Sequence, residues 1–150
     1  MYLNSNRGDI DIAFDLTGIG WSECKIRVGG SKAHVTASYI SDAPGDFLGA
    51  VIAIVRGDPS ATITFWNEPG CCRWTLERIS SERVRIQILG LPEKHLVYHA
   101  DCLLRDFAVE VVSAFDRLRQ KYGEAGYLAK WIRDKFPTER LEELRGLLEA

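Results

Sequence analysis

The side chains with chemistry to offer are a row of aspartates, two histidines near a cysteine, a pair of adjacent cysteines and several arginines. The aspartates come first, in Asp9-Ile10-Asp11-Ile12-Ala13-Phe14-Asp15-Leu16. Side chains alternate across a strand, so Ile10, Ile12, Phe14 and Leu16 share one face while Asp9, Asp11 and Asp15 share the other. Carboxylate oxygens suit magnesium or calcium. Alternate strand residues nevertheless lie roughly 6.5 to 7 Å apart, too far to grip one ion without ligands from another segment. No such segment is identifiable, so neither a metal nor another cofactor is expected. A row of like charges repels itself, and solvent or a cationic partner must offset it.

His95 and His99 are four apart, with Asp101 and Cys102 close behind. Four-residue spacing lets two histidines share a metal on a helix, but the glutamate of the HExxH pattern is missing and Leu96-Val97-Tyr98 is strand-like. A thiol beside an imidazole is a possible nucleophile pair, giving a small enzyme using His95, His99 and Cys102 as one alternative function. Cys71 and Cys72 are adjacent, and alternation sends them to opposite faces with Cys72 in the core beside Trp74 and Leu76. No glycine-rich turn matches a phosphate-binding loop. Arg73, Arg83 and Arg85 with Trp66 make a second alternative, a basic and partly aromatic sheet face able to hold nucleic acid. The overall balance weighs against it, because the net charge is −2 and the isoelectric point near 5.9.

These residues need elements to position them. Strands are expected over 9–16, 21–28 and 33–39, the last two joined by Gly29-Gly30, a hairpin signal. Cys24, Ile26 and Val28 face inward on the second, with Glu23, Lys25 and Arg27 outward. The third places Val35, Ala37 and Tyr39 inside, and His34, Thr36 and Ser38 outside. Ser41-Asp42-Ala43-Pro44-Gly45-Asp46 opens a helix over 42–55, apolar round most of its circumference and stopped by Gly57. Strands follow over 61–66, 72–78 and 83–89, with a weaker one over 94–99. Asn67-Glu68-Pro69-Gly70 is a reverse turn. From Asp101 the pattern is helical up to Gly123, again over 124–135 with Tyr127, Leu128, Trp131 and Ile132 as its apolar set, and finally from Thr138 past the Phe136-Pro137 break. Residues 1–150 therefore read as one α+β domain. It combines an antiparallel β-sheet of about six to seven strands, one inserted helix and a C-terminal three-helix segment.

Composition agrees with a folded globular chain, 46% hydrophobic and 27% charged. No apolar run approaches the ~20 residues of a membrane span. Met1 to Arg7 lack a signal-peptide core, and four sparsely placed cysteines point to a reduced, cytoplasmic protein.

Three stretches carry a family resemblance. They are Ser38 to Leu48, then Glu68-Pro69-Gly70 with Arg73-Trp74, and Gly123-Glu124-Ala125-Gly126-Tyr127 running on to Trp131 and Phe136-Pro137. Together they resemble a group of small bacterial immunity proteins of contact-dependent inhibition and other polymorphic toxin systems. The motifs are structural and transfer no site residue. The resemblance implies a protein with no catalytic residues, which binds a cognate toxin, such as a basic nuclease, and occludes its active site. The expected partner-binding residues are Asp9, Asp11, Asp15, Asp42, Asp46 and Glu68, with Trp66 as the exposed aromatic. No membrane and no direct nucleic acid is expected among its partners.

Overall fold

Alternation forms the first strand as expected. In the computed structural model, which describes residues 9–150, β1 spans Ile10–Gly18 and buries Ile10, Ile12, Phe14 and Leu16. The Met1 to Arg7 segment lies outside the described residues. β1 pairs antiparallel with β2 (Trp21–Val28), which pairs with β3 (Ser31–Ser38). Gly29, at φ 59°, makes the β2–β3 turn and donates its N–H to Asp9 O at 2.8 Å. The register sets Asp11 opposite Arg27, Ala13 opposite Lys25 and Asp15 opposite Glu23.

The third strand stops at Ser38, one residue before the sequence pattern suggests. Alternation predicts Tyr39 inside and Ser38 outside, whereas Ser38 is buried and Tyr39 is half-exposed. The chain turns at Tyr39-Ile40 to enter helix α1 (Ala43–Arg56), so strand periodicity no longer governs Tyr39. Pro44 lies in the first turn of α1, and Gly57 closes it at φ 118° with its N–H on Ile54 O. Such a conformation suits glycine, which has no Cβ to clash.

A second antiparallel sheet follows, in the order β4 (Ser60–Trp66), β5 (Cys71–Arg78), β6 (Arg83–Leu91) and β7 (His95–Leu103). The seven strands thus form two sheets of three and four, rather than the single sheet expected. The inserted helix accounts for the split, because α1 carries the chain out of the first sheet before β4 begins. β3 and β4 approach one another without a hydrogen-bonded ladder.

β7 also runs further than expected, displacing the helix start from Asp101 to Leu104. Asp101 is held across the ladder by Arg85, at 2.8 and 3.0 Å, and Cys102 pairs with Val84. These cross-strand pairs extend the strand into a stretch whose apolar residues also fit a helix. Helix α2 (Leu104–Trp131) is broken at Gly123, whose φ 69° and ψ 168° are not helical, and α3 covers Thr138–Glu149. Among the described residues no helix is long and apolar enough to cross a membrane.

Both sheets turn their apolar faces to one core. Phe14 of the first sheet packs against Phe47 of α1 (centroids 5.1 Å) and Phe115 of α2 (4.8 Å). Phe47 in turn meets Trp74 of the second sheet edge-on at 5.1 Å, and Phe65 lies beside Trp74 at 5.3 Å. Each of these rings is 6% exposed or less, so the cluster joins both sheets to both long helices.

Candidate protein-docking face

At one end of the molecule, the β1–β2 turn, the β3–α1 connection and the C-terminal end of α2 meet. Gly20, at φ 76°, donates its N–H to Lys130 O at 2.9 Å. The Tyr39 ring lies directly over Gly20, where a Cβ would come 2.9 Å from Cδ1, and Ile132 Cδ1 borders the same spot at 3.5 Å. Arg133 Nη1 donates to Tyr39 O, and Ile132 N–H donates to Leu128 O. These contacts bring together three segments that carry the exposed apolar side chains Ile19 (67% exposed), Tyr39 (50%), Ile40 (47%), Ile132 (45%) and Leu128 (44%). Ile132 sits at φ 65°, a left-handed conformation that strains a β-branched side chain.

Acidic groups border these segments. Asp42 Oδ1 accepts a hydrogen bond from Trp131 Nε1 at 3.0 Å, which ties the start of α1 to the end of α2. Burial raises the Asp42 carboxyl above its ordinary range against the Trp131 hydrogen bond, and Asp134 and Asp46 push it further up. Desolvation also raises Asp46, with Arg140 opposing it. Asp42, Asp46, Asp134 and Glu139 line a cleft of about 310 Å³ together with Lys135 and Arg140. Asp46 also lines a neighbouring cleft of about 480 Å³ with Ser41, Thr64, Trp66 and Arg140. Asp42, Asp46 and Trp66 therefore lie around the N-terminal end of α1.

The remaining expected partner-binding residues lie elsewhere. Glu68 is exposed in the β4–β5 turn and lines neither cleft. Asp9 borders a separate cleft with Arg83 and Asp101. Asp11 pairs with Arg27 at 2.6 Å. Asp15 accepts hydrogen bonds from Lys121 Nζ at 2.7 Å, Tyr122 OH at 2.5 Å and Leu16 N at 2.9 Å, which fastens β1 to α2.

The histidines and cysteines do not converge. His99 faces outward and Cys102 inward, where burial pushes the thiol up to about 12. The His95 ring lies against Gly90 at the far end of β6. All four cysteines are free and buried, and Cys72 Sγ accepts from Asn67 Nδ2 at 3.5 Å. Among the described residues no group of three or more His, Cys, Asp or Glu is placed to hold a metal. On the arginine-bearing sheet face, Arg85 is engaged by Asp101 and stands opposite Glu77 in the ladder. Trp66 belongs instead, with Arg140, to the cleft beside α1.

Sequence reasoning missed most of the exposed apolar surface. One signal was available in Ile19, an isoleucine between Gly18 and Gly20 in a tight turn with no core within reach. Leu128 and Ile132 were concealed by sharing an apolar set with Tyr127 and Trp131, which alone point inward. The arrangement defines an α+β protein with exposed apolar side chains bordered by charges of both signs, Asp42, Asp46 and Asp134 alongside Arg133, Lys135 and Arg140. Its chain matches no protein-family model, no curated protein and no solved structure.

Proposed function

We propose that this protein acts by binding another protein, as a cytoplasmic immunity protein that occludes the active site of a cognate bacterial toxin. The observation that carries this reading is the meeting of three segments that expose Ile19, Tyr39, Ile40, Leu128 and Ile132, five apolar side chains. Contiguous exposed apolar groups rimmed by polar ones mark interaction sites, and central apolar anchors supply most of the binding energy. Asp42, Asp46 and Asp134 on the rim offer carboxylates to a basic partner such as a nuclease, which would compete with Arg133 and Arg140 for Asp134 and Asp46, and complementary charge speeds and selects association. The sequence resemblance to toxin-immunity proteins points the same way.

Co-expression with the product of the adjacent reading frame tests the reading. A stable complex and rescue of growth are expected. The double variant Ile40→Asp/Leu128→Asp should stay folded, since both side chains are already exposed, yet lose about 2 kcal/mol or more of binding. Absence of both complex and rescue with the parent protein would refute the proposal.

A further inference from the structure

The outer face of the first sheet carries the aspartate row of β1 beside the outward Lys25 and Arg27 of β2, and at one end the cations gather. A concavity of about 800 Å³ lies there, lined by Lys25, Arg27, Lys32, His34 and Arg117, with Asp11 as its acidic member. Three strands and α2 supply these groups. Register places Arg27 opposite Lys32, and Lys25 opposite His34 and Ala13. The small Ala13 side chain leaves the floor low beside Lys25.

The basic groups are not all neutralised locally. Arg27 is engaged by Asp11 and by the carbonyls of Asp9 and Gly29. Glu23 takes His34 at 2.7 Å and lies a loose 3.9 Å from Lys25, which remains 61% exposed. Arg117 donates to Ile12 O at 2.7 Å and to Glu110 at 3.2 Å. Lys32 is exposed and forms no ion pair among the described residues. Lys25, Arg27, Lys32 and Arg117 bring four formal positive charges to the concavity; Asp11 within it and Glu23 and Glu110 beside it offset three, which leaves Lys32 and the largely exposed Lys25 as the cations most open to a ligand.

We propose that this concavity binds an acidic, extended segment of a partner protein, on a surface separate from the apolar docking face. Spacing and chemistry both favour that occupant. Lys25 and Arg27 are alternate residues of β2, roughly 6.5 to 7 Å apart, the same repeat as alternate carboxylates on an extended peptide. Among the described residues no aromatic ring lines the wall, so these supply none of the stacking platforms on which single-stranded nucleic acids rely. The aliphatic stems of the lysines and arginines provide apolar contact beneath their charges. This inference does not depend on the toxin-binding reading, because the residues of the two surfaces do not overlap.

A fluorescein-labelled peptide of alternating glutamate and valine, titrated by anisotropy against the full chain, tests the proposal. Its glutamine counterpart and a single-stranded oligonucleotide serve as comparison probes. Saturable binding of the glutamate peptide is expected, weakening as salt is raised. Lys25→Glu/Lys32→Glu should weaken it about tenfold or more, with an unchanged circular dichroism spectrum. Ile40→Asp/Leu128→Asp should bind the peptide as the parent does. Equal binding of the glutamine peptide, preference for the oligonucleotide, no saturable binding, or indifference to the lysine substitutions in a folded variant would each overturn it.

Discussion

Asp11 and Asp15 lie four residues apart on one face of β1, and different neighbours hold them. Asp11 is largely exposed and pairs across the sheet with Arg27, in a position where an ion pair contributes little to stability. Asp15 is half-buried, and burial alone would raise its carboxyl. Hydrogen bonds from Lys121, Tyr122 and the Leu16 N–H outweigh that effect and hold it below the ordinary carboxylate range. A depressed folded value gives stability that is fully present above the unfolded value and is lost as pH falls through the folded one. Asp15→Asn should therefore cost about 1 to 2 kcal/mol at pH 7, as expected for hydrogen bonds to a charged group. The difference from the parent should shrink below about pH 4, where the unfolded carboxyl becomes protonated. Urea unfolding at pH 7 and pH 3 measures this, and a gap that stays constant would contradict the assignment. The row itself was legible from alternation, but its division of labour was not. The partners of Asp15 lie in α2, more than a hundred residues away.

The end of α2 shows the same limit for a whole element. Gly123 as a break, Phe136-Pro137 as a second one and Thr138 as the start of α3 were all readable from local backbone chemistry. Which side of the 124–131 segment faces inward was not, because Tyr127, Leu128, Trp131 and Ile132 offer two adjoining apolar stripes. The Trp131 Nε1 bond to Asp42 belongs to the inward choice, which leaves Leu128 and Ile132 in solvent. That choice carries a local penalty, since Ile132 caps the segment in a left-handed conformation. For an L-residue this costs roughly 1 to 2 kcal/mol, and glycine escapes it. Ile132→Gly should thus stabilise the fold by at most about 1 kcal/mol, because the extra freedom that glycine gives the unfolded chain and the packing lost beside Gly20 offset part of the relief. It should also weaken any partner seated on the apolar surface. Thermal melting and a binding titration on the same variant check both signs. Strain retained at an exposed isoleucine is the pattern expected where a side chain serves recognition rather than stability.

At the scale of the molecule, the α+β class was legible because runs of strand periodicity give way to helical periodicity after residue 100. The division into two sheets was hidden, since hairpin turns reveal only which neighbours pair, whereas β3 and β4 are separated by α1. What unites the sheets is the aromatic cluster around Phe47, a residue of the inserted helix that is fully buried and meets Phe14 on one side and Trp74 on the other. Truncating it strips packing from both sheets at once and leaves a cavity that neither can fill alone. Phe47→Ala should cost about 3 to 5 kcal/mol, a large share of the 5 to 15 kcal/mol, roughly, that stabilises a typical domain. If the core is truly shared, the variant should still unfold in one transition, shifted to lower denaturant, because no sheet has a separate core to retain. Far-ultraviolet dichroism reports the backbone of both sheets and the helices, while near-ultraviolet dichroism reports the packed aromatic rings. Coincident curves are expected from the two signals. A near-ultraviolet loss that precedes the far-ultraviolet one would mean that the sheets hold together independently of α1.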